Sequence, residues 1–276
     1  MTLVREQDHD RYLTALYAPA DARPALFALF AFNVELARIR EHVSEPMIGE
    51  IRLAWWREAV EGAYAGAPRA HPVVEALARF VVPRQVPADL LIACIDARLS
   101  DIYGEQPATL DDLVAYADNS GGALAQAVLH ALAGPTGAPS SAQSAAVRAI
   151  GRAWALTGIV RAIGFHAALQ RVMLPADLLA AAGIEADSLF KGEIGAGVEG
   201  VVRQVHARAM ADLDVAGPVV RGLPGTARAA ALLAPLARDY LGRIAAAGFD
   251  MSAARLERGV LTRQGKLLWS ALTGRC

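Results

Sequence analysis

Between Gly151 and Pro175 the chain carries Arg152, Arg161, Arg171 and His166, and not one aspartate or glutamate. Side chains of these types can hold an anion, but they offer a hard cation no oxygen ligand. Arginine suits phosphate because its planar fork donates two parallel hydrogen bonds. Arg161 and Arg171 are therefore candidate ligands for a phosphate or an acidic lipid headgroup, set against ordinary ion pairs with a neighbouring helix. Arg148 and Arg152 share a face at i, i+4 and are expected at the solvent surface. His166 invites a metal or acid–base role, but no second ligand lies near it in sequence, so it reads as a satisfied or solvent-facing histidine. Tyr116 is a further candidate, its hydroxyl directed into a cavity or bonded within the core. Glu35, Arg38, Arg40, Glu41 and His42 crowd one helix end, where Glu35 and Glu41 are expected to pair with Arg38 or Arg40.

Composition narrows the partners. The 276 residues are 54% apolar with only 6% aromatic, and much of the apolar share is alanine, a strong helix former. Lys and Arg (27) nearly balance Asp and Glu (28), so the basic excess of a nucleic-acid binder is missing. Cys94 and Cys276 lack the spacing of a zinc site or a disulfide framework. No uncharged run reaches the length of a membrane span. The N-terminus MTLVREQDHDRYL is neither a signal peptide nor a transit peptide. The expectation is a cytoplasmic protein, peripheral at the inner membrane of a bacterium. No GxSxG, P-loop, HExxH or strand-borne GxGxxG pattern is present.

The elements that must position these residues read as helices throughout. Apolar spacing predicts helices over 4–17, 22–43 with Asp21 as N-cap, 47–64, 71–82, 87–102, 109–133 and 140–169. A short helix to 182 follows, then 195–213, 223–247 and 251–272. Thr109 to Asp112 resembles a capping box. Gly121 and Gly122 cost about 1 kcal/mol each inside a helix, so they imply a close helix approach or a bend. Trp55 and Trp56 lie about 100° apart on a helix, which puts one inside and the other at an edge. Gly192 to Gly200 is a loop signal only. The fold class is all-α, one domain over 1–276, with antiparallel helices around a central cavity.

Taken in order, four pieces of the chain resemble the squalene/phytoene synthase family. They are Phe27-Ala-Leu-Phe-Ala-Phe32, Tyr116 with Gly121 and Gly122, the helix from Gly151 through Arg161 to Arg171 and Pro175, and Ala229 to Asp250. The likeness implies an isoprenoid-synthase fold whose two facing helices carry aspartates for magnesium and substrate diphosphates. It places the first aspartate set at Ala37, Arg38 and Glu41 and the second at Ala162 and His166. Only Glu41 keeps a carboxylate, and it stands as a candidate ligand position. Methyl and neutral imidazole groups are poor magnesium ligands.

The pattern resembles one branch of that family, the respiratory complex I assembly factors, whose aspartate motifs are incomplete. Leu36 to Tyr64 and Tyr116-Ala-Asp-Asn-Ser120 carry that likeness. The resemblance thus implies a non-catalytic assembly factor or lipid-binding adaptor, with no cofactor and with a membrane-protein complex or an isoprenoid-type lipid as partner. The alternative is a prenyl-diphosphate condensing transferase, which alone would need magnesium.

Overall fold

The computed structural model describes residues 1–43, 45–191, 197–251 and 259–273, and among these there is no strand. The loop expected at Gly192 to Gly200 lies partly outside the described residues, as does Cys276. The described helices are α1 (Thr2–Gln7), α2 (His9–Leu16), α3 (Arg23–Arg38), α4 (Pro46–Tyr64), α5 (Pro72–Ala76), α6 (Ala88–Asp96), α7 (Leu99–Tyr103) and α8 (Leu110–Ala117). They continue with α9 (Ala123–Ala133), α10 (Ser141–Arg161), α11 (Ile163–Ala168), α12 (Ala176–Ala181), α13 (Ala186–Phe190), α14 (Val198–Arg221), α15 (Leu233–Ala246) and α16 (Val260–Thr273).

Helix α3 is apolar and buried from Ala25 to Phe32, and its charged residues, Arg23, Glu35 and Arg38, lie towards its two ends. It starts with Pro24 in the first turn, where a missing N–H costs nothing. Asn33, polar and directly after that run, is buried as well. Helix α10 begins at a capping box, in which the Ser140 hydroxyl accepts from the Gln143 amide and the Gln143 side chain answers at the Ser140 amide. At 21 residues it is roughly 30 Å long. It packs against α14, α15, α9 and the turn Asp118–Gly122 that joins α8 to α9. Thr109 and Asp112 form the expected capping box at the start of α8.

The glycine pair resolves into both alternatives. Asp118–Gly122 is a π turn, a single wide turn of the kind that re-aims a helix. Gly121 also lies against Gly151, where a Cβ on either residue would run into the other's carbonyl oxygen. This crossing brings α10 close enough to the α8–α9 segment for both to face one cavity.

Several predicted elements are cut. The helix expected over 4–17 breaks at Asp8, whose carboxylate caps α2 by accepting from the Arg11 amide at 3.2 Å. Asp21 caps nothing. It accepts from Arg84 at 2.6 Å, and the residue before α3 is Ala22 with no side-chain cap. The helix expected over 140–169 ends at Arg161: Ala162 sits at φ −94°, ψ 9°, and α11 then resumes. No proline marks that break, and the flanking glycines, Gly158 and Gly164, lie inside α10 and α11. Beyond α11, Gln170 takes φ 55° and the Arg171 amide bonds back to the His166 carbonyl at 2.9 Å. That reversal returns Arg171 to the interior.

Candidate functional site

A cleft with a volume of about 500 Å³ lies between α3 and α10, within the range of roughly 300–1,000 Å³ usual for small-molecule sites. Its walls follow helix periodicity. Asn33 and Ala37, one turn apart on α3, form one side, and Arg40, Glu41 and Val43 extend it beyond the helix end. Trp154 and Gly158, one turn apart on α10, and Ala162 just past its end form the opposite side, continued by Phe165 and His166. Arg98, Asp101 and Tyr116 close the floor, and Arg171 and Met173 close one end.

A polar network organises the floor. Arg98 donates through Nη1 to the Tyr116 hydroxyl at 2.8 Å and to Asp101 Oδ2 at 3.2 Å, and through Nη2 to Asn33 Oδ1 at 3.2 Å. The Tyr116 hydroxyl donates to Asp101 Oδ2 at 3.0 Å, and Arg171 Nη2 donates to Asp101 Oδ1 at 2.9 Å. Burial works against the charge on Arg98, but Tyr116 and Asp101 outweigh it and hold the guanidinium above its ordinary range. Burial raises the Tyr116 hydroxyl, with Asp101 adding to the effect and Arg98 opposing it. Burial, reinforced by Arg171 and opposed by Asp101, pushes the His166 imidazole down to about 4. Near pH 7 the site therefore presents arginines, a neutral tyrosine and a neutral histidine.

The expected site residues are thus divided. Tyr116, Glu41, Arg171, Ala37, Ala162 and His166 all line the cavity. Tyr116 both faces it and is bonded within the floor. Arg161 does not line it. Its Nη1 lies 3.8 Å from Asp10 Oδ2 and its guanidinium 3.7 Å from the centre of the Tyr240 ring, because position 161 is turned about 100° from the face that carries Ala162. Arg38 also points elsewhere. It stands over His42 in a second cleft with Trp55, Trp56 and His71, so it adds no charge to the central cavity. In that cleft Trp56 is buried and Trp55 sits at the edge, as their spacing requires.

Two expectations about ion pairs also change. Among the described residues Glu41 makes no ion pair, and Arg40 donates instead to the Val43 carbonyl at 3.3 Å. Arg148 and Arg152 are not left to solvent. Arg148 pairs with Asp118 at 2.6 Å, and Arg152 bridges Asp118 at 2.8 Å and the buried Asp212 at 2.5 Å. These pairs tie α10 to the π turn and to α14.

Sequence reading missed Arg11, Asn33, Arg40, Arg98 and Asp101. Two signals were available: a lone asparagine in an apolar helix, and an arginine–aspartate pair at i, i+3 in a segment otherwise apolar. Among the described residues the cavity wall holds four guanidinium groups, of which Arg11 is paired with Asp8, against two carboxylates, Glu41 and Asp101. Magnesium needs several hard oxygen donors. Asp101 already accepts from two arginines and a tyrosine, which leaves Glu41 alone as an uncommitted carboxylate. The donor set does not fit a magnesium cluster.

A family model described as squalene/phytoene synthase matches residues 4–270. A bovine (Bos taurus) protein described as NADH dehydrogenase (ubiquinone) complex I, assembly factor 6, is 31% identical over 258 residues, covering 94% of this chain and 76% of its own length. A phytoene synthase from Thermus thermophilus is 28% identical over 253 residues, covering 91% of this chain and 83% of its own length. The crystal structure of squalene synthase HpnC from Alicyclobacillus acidocaldarius superposes with a TM-score of 0.79 at 20% identity, covering 90% of this chain and 92% of that one. A dehydrosqualene synthase in complex with ligand gives 0.82 at 16% identity, covering 98% and 93%.

Proposed function

The chain belongs to the squalene/phytoene synthase family, and we propose that within it this protein works without catalysis, as an assembly factor for respiratory complex I. The observation that carries the proposal is the cavity wall. Where a magnesium-dependent synthase must gather carboxylates, this chain presents Ala37, Ala162, a neutral His166 and four arginines. Ionising a diphosphate requires charge stabilisation of the leaving group by metal, and these residues supply no metal site. The 31% identity to a protein described as a complex I assembly factor supports the same reading.

No described helix is long and apolar enough to cross a membrane. Attachment at a membrane surface, beside the complex, is a separate part of the proposal. The bovine and mouse assembly-factor relatives are animal proteins and do not fit the bacterial setting expected from the sequence. A second role is supported by one observation: the space between Glu41 and His166 is open and not packed shut, as a lipid-binding adaptor needs.

Two measurements test the proposal. Deletion in the host should lower fully assembled complex I on native gels, with accumulation of subassemblies; normal levels would count against it. Incubation of the purified chain with farnesyl and geranylgeranyl diphosphate plus magnesium should yield no condensed product. A robust metal-dependent product would instead make the protein a prenyl-diphosphate transferase.

A further inference from the structure

The arginines on the cavity wall have more donors than the protein uses. A guanidinium offers five N–H donors. Arg40 engages only Nη1, at the Val43 carbonyl, and has no ion pair among the described residues. Arg171 engages only Nη2, at Asp101 Oδ1 and at the Met173 sulfur at 3.8 Å. Arg11 is paired with Asp8 at 2.6 Å, so among the described residues Arg40, Arg98 and Arg171 stand against Glu41 and Asp101 and leave the wall an excess of one positive charge. A phosphate head is negative near pH 7 and offers three acceptor oxygens, one more than a carboxylate, to guanidinium forks that donate parallel pairs of hydrogen bonds. Trp154, Ile159 and Met173 give the wall buried apolar surface beside the polar Asn33, Tyr116, Ser120 and His166. At the rim, Phe165 and Leu169 are 58% and 48% exposed. These two side chains offer an apolar chain contact surface at the rim.

We propose that this cavity binds a phosphate-headed amphiphile without a divalent cation, the head held by Arg40, Arg98 and Arg171 and the chain lying along α10. Guanidinium groups here take over the charge neutralisation that carboxylate-bound metal would otherwise supply. The proposal rests on the non-catalytic reading, and the two fail separately. Product formation would overturn that reading, whereas loss of metal-free binding would overturn this one.

The test is calorimetric titration of the full chain, in EDTA, with decyl phosphate below its micelle-forming concentration. Decanol and inorganic phosphate serve as comparators. Decyl phosphate is expected to bind at least tenfold more tightly than either, with no gain when magnesium replaces EDTA. Arg40→Gln removes a charge that the fold uses for one backbone contact only, and should weaken binding about tenfold or more. Gly158→Leu is the second variant. A Cβ at Gly158 meets nothing within 4 Å, so the side chain should occupy the cavity without disturbing α10. It should reduce decyl phosphate binding to the level of inorganic phosphate while the thermal midpoint holds. Four results would overturn the proposal: no binding in EDTA, binding that requires magnesium, inorganic phosphate binding as tightly as decyl phosphate, or unchanged affinity in a folded Arg40→Gln protein.

Discussion

Asp101 is 7% exposed and faces Arg98 and Arg171 together. Its replacement matters most for what is left behind, two guanidiniums in the cavity floor with no counter-charge. Asp101→Asn keeps the shape and removes the charge. It should cost about 3–5 kcal/mol, the range for breaking a buried pair from one side, seen as a clear fall in the thermal midpoint. An unchanged midpoint would show that the arginines do not depend on it. His166 gives a prediction in pH. Its imidazole titrates near 6.5 in the unfolded chain and at about 4 in the fold, chiefly through burial. Between those values the unfolded chain binds more protons, so this group's contribution to stability falls as pH drops from about 6.5 to about 4 and is constant above. His166→Gln should flatten that part of the profile, measured as urea midpoints at pH 7 and pH 5; an identical slope in the variant would reject it. Tyr116, Glu41 and Arg171 were legible as cavity residues from their place in the chain. Asp101 and Arg98 were not, because an i, i+3 pair on a short helix looks like a surface pair until tertiary packing buries it.

The crossing of Gly121 and Gly151 carries the cavity's geometry, and two glycines on the same helix separate its demands. At Gly151 a Cβ would lie 2.6 Å from the Ala125 Cβ and would strike the Gly121 carbonyl. Gly151→Ala should therefore destabilise by about 1–3 kcal/mol through overpacking, despite alanine's better helix propensity. At Gly158 there is open space, so Gly158→Ala should gain up to about 1 kcal/mol from propensity alone. Chemical denaturation of both variants checks the pair, and a Gly151→Ala protein as stable as the parent would remove close approach as the reason for glycine there. The sequence announced this contact through two adjacent glycines inside an apolar period. It did not announce the break at Ala162 or the reversal at Gln170, since neither residue is a helix breaker. Those bends come from packing, and they decide that Arg171 returns to the cavity while Arg161 turns to Asp10 and Tyr240.

For the whole molecule, helix type and order were readable because apolar residues recur at helical spacing through the chain and four family-like pieces fall in sequence. Whether the enclosed space stayed open was not readable. Alanine-rich faces can meet closely or stand apart, and only the placement of α3 against α10 leaves the gap of about 500 Å³. An open, positively charged cavity in a chain this size has a thermodynamic consequence that a closed scaffold lacks. A ligand that binds the folded state alone stabilises it by about 2.7 kcal/mol when present at a hundred times its dissociation constant. At roughly 2–4 °C per kcal/mol for domains of comparable size, decyl phosphate at that excess should raise the thermal midpoint by roughly 5–10 °C. Magnesium alone, at any concentration that leaves the protein soluble, should leave the midpoint where EDTA leaves it, because among the described residues Glu41 is the one carboxylate in the wall not already bonded to arginine. Differential scanning calorimetry in EDTA, in magnesium, and in each with decyl phosphate gives all four midpoints. A rise with magnesium alone, or a rise with decyl phosphate that appears only when magnesium is present, would mean that the chain still assembles a metal site the arginines were inferred to have replaced.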